Sequence, residues 1–517
     1  HFLNNEPITT EAYDKQLAER FDREVTLKDV NAAMREAITN RNQVLVVYAP
    51  EKADFHIPSD AELESYVLEA QARKYPAYEE KKVDTKLIAT LPNKGRIVSQ
   101  KAFAHGTTEL TLSNGVKVYF KPTDFNKDQV TLRFFGEGGS SLYPDADIPN
   151  IQFLATAIKE GGLGKFDKLA LNKYLSDKTV RINANVGAET QSISGQSSVK
   201  DVKTLFELAH LYFTDLRRDD QAFGAELNRM RSFLTNREAS PKVGYNDSLS
   251  AIVYGNSPRT QPVKAATIDK VNYDRVLQIY RERFSNASNF KLIVMGNISL
   301  ETLRPLLEQY IASLPSTGKK ETFADTYPNV RNCNETHRWT KKMNTPISKV
   351  SIIYTWNEPY SAKSDLQLDM FRRVLSIAYV DSVREDKGGV YGVSLSSSID
   401  KYSNPRALLK VSFDTDPDKY EMVMPIIYRQ IEHIAQSGPA AASLKKVKEY
   451  LLKQYDQAVI TNDYWSYVLY NQLRYGVDFD KNYKQLVEKT TTADVQRIAK
   501  NMLQSKRRIE VTMLSEK

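Results

Sequence analysis

Apolar residues along this chain follow two periods. Alternating or β-branched runs predict strands at Val130–Phe135, Val180–Val186, Gln191–Ser197 and Val350–Trp356, at a stretch from Tyr391, and where Leu409, Val411 and Phe413 alternate with polar neighbours. Within Val202–Phe213, Leu205, Leu208 and Tyr212 share one face, as in an amphipathic helix. Further helices are predicted over Asp60–Arg73, Ile151–Lys159, Glu226–Arg237, Leu366–Arg384, Lys419–Gln436 and Ala442–Ile460. Leu110–Phe120 reads as a hairpin turning at Asn114-Gly115, a dipeptide that tolerates positive φ. Strands come in groups and helices in groups. The expected fold class is therefore α+β, in modules that are each a mostly antiparallel sheet covered by helices on one face.

One helix–strand pattern recurs three times, and repeats fix architecture. Thr26–Lys52 (TLKDVNAAMREAITNRNQVLVVYAPEK) aligns without a gap on Thr491–Lys517 (TTADVQRIAKNMLQSKRRIEVTMLSEK), and a third copy starts at Thr267. Each copy reads as a capped helix feeding a strand. In the first, Thr26 and Asp29 form a capping box, the helix runs to about Asn40, and Val44–Tyr48 is the strand. Two copies close modules. The first closes one whose opening is not among the 25 residues before it, so the chain is expected to be the back part of a larger protein. The expected division is 1–52, the tail of an upstream module; 53–103, a charged linker carrying Pro58, Pro76 and Pro92 and one helix; 104–313, a module; 314–345, a polar linker; and 346–517, the last module.

Composition adds little to this division. The apolar share of 41% and charged share of 26% are those of an ordinary globular protein, and 517 residues allow about three domains. No run approaches the roughly 18 apolar residues of a membrane helix. The net charge of +8 is spread out, with no basic run interleaved with aromatics, so no nucleic-acid partner is expected. The single Cys333 leaves no intramolecular disulfide and no cysteine metal cluster.

The histidines decide most of the chemistry. They lie at 1, 56, 105, 210, 337 and 433, so no helix carries two of them one turn apart, as a helical zinc site needs. His210 reads as a packed helix residue. The run 136–141, GEGGSS, lacks the last glycine of a dinucleotide loop and is expected to be flexible. Gly161–Lys165 has the wrong spacing for a phosphate loop. Asp145 and Asp147 fit a turn between Pro144 and Pro149 better than a cation site. No self-contained active site is expected, and no metal site within the chain.

Three features together resemble the pitrilysin-like (M16) zinc metallopeptidase family across nearly the whole chain. They are the hairpin SNGVKVYFKP followed by GEGGSSLYPD, the repeated helix–strand ending, and Arg384-Glu385-Asp386-Lys387-Gly388-Gly389-Val390-Tyr391, which matches the family's Arg…Gly-x-x-Tyr. The chain departs from the family where catalytic modules carry His-x-x-Glu-His. The equivalent helix, PNIQFLATAIKEGG, puts Gln152, Ala155 and Thr156 at those three positions. Glu238 falls where the family's third zinc ligand would be, or is a surface helix residue.

The resemblance implies repeated M16-type modules and a C-terminal, non-zinc-binding half of a long single-chain member, with its zinc bound by the N-terminal half. Peptide or unfolded protein would be the substrate and the chain's own N-terminal half a partner. In the family, zinc polarises a water and a glutamate acts as general base. Arg384 would hydrogen-bond a substrate carbonyl or carboxylate, and Tyr391 would donate its hydroxyl to the scissile carbonyl region. The spacing alone also allows Arg384 merely to end a helix and Tyr391 to start a strand. The family's long members suggest a bacterial periplasm. Three readings stay open: half of a zinc endopeptidase, a structural or binding subunit with a vestigial Arg-Tyr pair, and a peptide-binding protein without a catalytic partner.

Overall fold

The structure is a computed structural model that describes residues 3–38, 42–49, 56–76, 86–238, 240–343, 346–385, 390–401 and 405–516, the side chains of 383–385, 390 and 391 excepted. It divides into two compact units, His1–Lys81 and Lys82–Lys517.

The first unit holds three helices, Glu11–Glu24, Leu27–Ala37 and Asp60–Ala72. Each opens on a side-chain cap, and none has a buried residue. The helix of the first repeat copy forms as expected. The Thr26 backbone N–H donates to the Asp29 carboxylate at 2.8 Å, and the Asp29 N–H donates to the Thr26 hydroxyl at 3.3 Å. The expected strand does not form among the described residues: Val44–Tyr48 carries no strand pairing there, and all five side chains are exposed. A capping box closes within four residues, whereas a strand needs a neighbour to satisfy its backbone groups. Among the described residues this unit has no strand.

The second unit contains two sheets. The first has seven strands: β1 (Ile97–Ala102), β2 (Thr108–Leu112), β3 (Lys117–Pro122), β4 (Val130–Glu137), β5 (Val180–Val186), β6 (Thr190–Ser197) and β7 (Phe290–Gly296), in the order β1-β2-β3-β7-β4-β6-β5. All neighbours are antiparallel except β3 and β7. The second has five: β8 (Asn334–Lys341), β9 (Ser348–Asn357), β10 (Val390–Ile399), β11 (Arg406–Thr415) and β12 (Arg508–Ser515), in the order β10-β11-β9-β12-β8, antiparallel except β8 with β12. The α+β class and the mostly antiparallel sheets are as expected. Two strands, β1 and β8, come from polar stretches that read as connections.

The second and third repeat copies do the same job. β7 and β12 each lie between one parallel and one antiparallel neighbour. The middle helix, Tyr273–Phe284, starts later than its alignment suggests and is capped by Asn272, while Thr267 sits in a short 3-10 turn. In the third copy Thr492–Gln504 buries Val495, Ile498, Ala499 and Met502 on one face.

Helices cover one face of each sheet and build the two main cores. The opposite faces receive one helix each, by exchange. Pro241–Tyr254 sets Tyr245, Leu249 and Val253 against Ile353, Ile509, Val511 and Met513 of the second sheet. Asn462–Tyr475 sets Leu469 against Tyr119, Phe135, Ile293 and Met295 of the first. No described helix is long and apolar enough to cross a membrane.

The GEGGSS run is pinned, not flexible. Gly138 and Gly139 have φ of 125° and 57°, and residues 139–141 are buried. The Gly139 N–H donates to the Gln191 side-chain oxygen at 2.8 Å, and Ser140 N–H to the Gly187 carbonyl at 2.9 Å. A Cβ on Gly139 would lie 2.6 Å from two carbonyl oxygens, so only glycine fits this bend.

Candidate functional site

The helix expected to hold the metal-site positions is two helices, Ile148–Gln152 and Leu154–Gly161. They part at Phe153, whose backbone leaves the helical region while its ring is fully buried. Gln152 ends the first helix and donates through its amide to the Gln261 carbonyl at 3.3 Å. Ala155 is exposed and has no donor atom, and the Thr156 hydroxyl points to the Met230 sulfur at 3.9 Å. Glu238 accepts the Ala265 backbone N–H at 2.7 Å, which anchors the turn Ala265–Lys270. Buried Glu160 holds Lys168 through both oxygens at 2.8 Å. These residues do not fit a zinc ion, which takes imidazole, thiolate or free carboxylate donors. Among the described residues no group of three or more His, Cys, Asp or Glu is placed to hold a metal. Asp145 and Asp147 are likewise engaged, by Arg259 at 2.7 Å and Arg275 at 2.6 Å.

Arg384 lies in the π-helical turn Val380–Glu385 that continues the helix Ala362–Tyr379, and Tyr391 is the second residue of β10. Their side chains, and residues 386–389 between them, lie outside the described residues.

His210 is packed as expected. Its Nδ1 donates to the Tyr310 carbonyl at 2.8 Å, and burial pushes its pKa below the ordinary histidine value.

Sequence reasoning missed the polar seam along Asn462–Tyr475. Buried Arg474 donates to Glu137 at 3.0 Å and Glu189 at 2.7 Å. Burial weakens the hold of Arg474 on its proton, but Glu137 with Tyr470 outweighs it, and the pKa is raised. Lys291 reaches the Leu473 carbonyl at 2.6 Å, and Thr123 donates to Asn462 at 2.6 Å. His105 stands between Asp478 at 3.0 Å and Asp480 at 3.6 Å, with Trp465 against its ring. The one sequence signal for this seam is its tyrosine density: Tyr464, Tyr467, Tyr470 and Tyr475 fall within twelve residues.

The geometry defines a pair of sheet-and-helix modules, each with its own core and each with one helix on the other's sheet. Residues 270–451 match the family model described as the Peptidase M16 inactive domain. A zinc protease PQQL-like protein of Arabidopsis thaliana is 21% identical over 491 residues, 90% of this chain and 48% of its own length. The probable zinc protease PqqL of Haemophilus influenzae is 22% identical, over 86% of this chain and 47% of its own. The crystal structure of the periplasmic protease PqqL from Escherichia coli superposes with a TM-score of 0.73 at 18% identity, over 99% of this chain and 57% of that one. The match over residues 270–451 and these relatives make the chain similar to the M16 family. It spans about half the length of the curated relatives it matches.

Proposed function

We propose that this chain is the C-terminal, non-zinc-binding half of a PqqL-like zinc endopeptidase, working with its own N-terminal half in a bacterial periplasm. One observation carries the reading: a chain that matches about half of each zinc protease has Gln152, Ala155 and Thr156 where a metal site would need ligands. The half with zinc would supply the activated water. This half would close the substrate chamber, its modules being 104–313 and 346–517. Arg384 would anchor the substrate backbone and Tyr391 would donate its hydroxyl where charge develops on the scissile carbonyl.

The test is cleavage of a quenched peptide library with added zinc, by this chain alone and mixed with the upstream half. The expected result is silence alone and chelator-sensitive activity on mixing. Tyr391→Phe should then lower turnover by about 100-fold with little change in KM, as loss of one oxyanion donor does. Chelator-sensitive activity from this chain alone would refute the proposal. Silence after proven association of the halves would favour a structural subunit.

A further inference from the structure

The lent helix Pro241–Tyr254 covers only part of the face on which it sits. Its buried side chains pack on β9 and β12, against Ile353, Ile509, Val511 and Met513. On β11, Ala407, Leu409 and Val411 are buried in the main core of that module. By alternation Leu408 and Lys410 face the lent helix's side, and both are half-buried. On β10, at the sheet's edge, Ser394, Ser396 and Ser398 share that face and are exposed. Register sets Lys410 between Ile353 of β9 and Ser396 of β10.

A cavity of about 360 Å³ opens between the helix and these strands, within the roughly 300–1,000 Å³ range of small-molecule sites. Its apolar wall is Leu249 and Val253 of the helix with Ile353 and Leu408 of the sheet. Lys410 is the one charged residue among those that line it. Its ammonium group has no ion pair and no hydrogen bond among the described residues. Carboxylates on the neighbouring elements are engaged elsewhere. Asp414, further along β11, holds Lys349 at 2.5 Å, and Asp247 on the helix holds Lys264 at 3.3 Å. The Ser250 hydroxyl donates to the Thr260 carbonyl at 2.7 Å. Burial lowers the pKa of Lys410, and no neighbouring charge offsets it. A cation set in an apolar wall without a counter-charge is costly, and a ligand's anion would relieve that cost.

We propose that this cavity binds a small apolar monocarboxylate, its hydrocarbon chain against Leu249, Val253, Ile353 and Leu408 and its carboxylate on the Lys410 ammonium. Burial of the chain supplies affinity, and the charge-assisted contact selects the sign of the headgroup. The site goes beyond the peptidase reading and needs neither zinc nor the upstream half.

The test is isothermal titration calorimetry of this chain with octanoate, octanol, octylammonium and acetate, each kept below micelle-forming concentration. Octanoate should bind with a Kd below about 1 mM, and octylammonium and acetate at least about tenfold more weakly. Lys410→Met keeps the apolar stem and removes the charge. It should weaken octanoate by at least about tenfold and leave octanol unchanged. Its urea midpoint should be unchanged or higher, because an uncompensated charge has left a half-buried position. Lys410→Arg should keep the preference for octanoate over octylammonium. Leu408→Trp, which fills the cavity, should abolish binding of both octanoate and octanol. No octanoate binding below about 1 mM, equal affinity for octanoate and octylammonium, or parental octanoate affinity in Lys410→Met would each overturn the proposal. So would a lowered urea midpoint in Lys410→Met, which would mean that the lysine is already satisfied.

Discussion

The first and last repeat copies carry one pattern into two outcomes. Both open on the same capping box, Thr26 with Asp29 and Thr491 with Asp494, with nearly identical bonds. In the last copy, Val495 is fully buried and β12 pairs on both sides. In the first, the aligned Val30 is 47% exposed and Val44–Tyr48 has no strand partner among the described residues. The helix is therefore written locally, in four residues and a stripe. The strand is written only in company, because its hydrogen-bond partners lie elsewhere in sequence.

The largest expected effect probes that contrast with one substitution made twice. Val495→Ala should cost about 2 kcal/mol in urea unfolding, through lost burial and a residual cavity. Val30→Ala should cost less than about 0.5 kcal/mol. Equal costs would mean that the first copy is packed after all. A smaller effect should be shared. Thr26→Ala and Thr491→Ala each remove a cap worth about 1 kcal/mol. The second should lower the unfolding midpoint, and the first should appear as lost helicity by circular dichroism with the midpoint unchanged.

The smallest effect follows the packed body alone. The pKa of His210 is depressed in the folded state, so the unfolded chain binds more protons and stability rises with pH. The contribution is complete above the unfolded value near 6.5 and is lost as pH falls toward the folded value. Urea midpoints should therefore decline between about pH 7 and about pH 5, and His210→Asn should flatten that decline. An identical acid limb in the variant would remove His210 from the account.

What could be read from sequence follows the same divide. β5, β11 and the helix Val202–Thr214 were legible because their apolar periods face one core. The exchanged helices were not. Pro241–Tyr254 shows its core only as Tyr245, Leu249 and Val253, a stripe one residue wide. Asn462–Tyr475 buries Asn462 and Asn471 along with Val468 and Leu469, and no period marks such a seam. At the candidate site, the absence of a paired-histidine helix was plain from spacing. The break at Phe153 was not, since neither a glycine nor a proline stands at that position.

The exchange of helices has a mechanical consequence. Residues 315–320, on the covalent path from the first sheet to the second, are exposed. Cutting that path would not free either piece, because each still grips the other's sheet through its lent helix, with Arg474 locked to Glu137 and Glu189 and the Tyr245 hydroxyl on the Val511 carbonyl. The two modules behave as a clasp rather than as beads on a string. A single cut there would leave the two modules joined and their sheets intact.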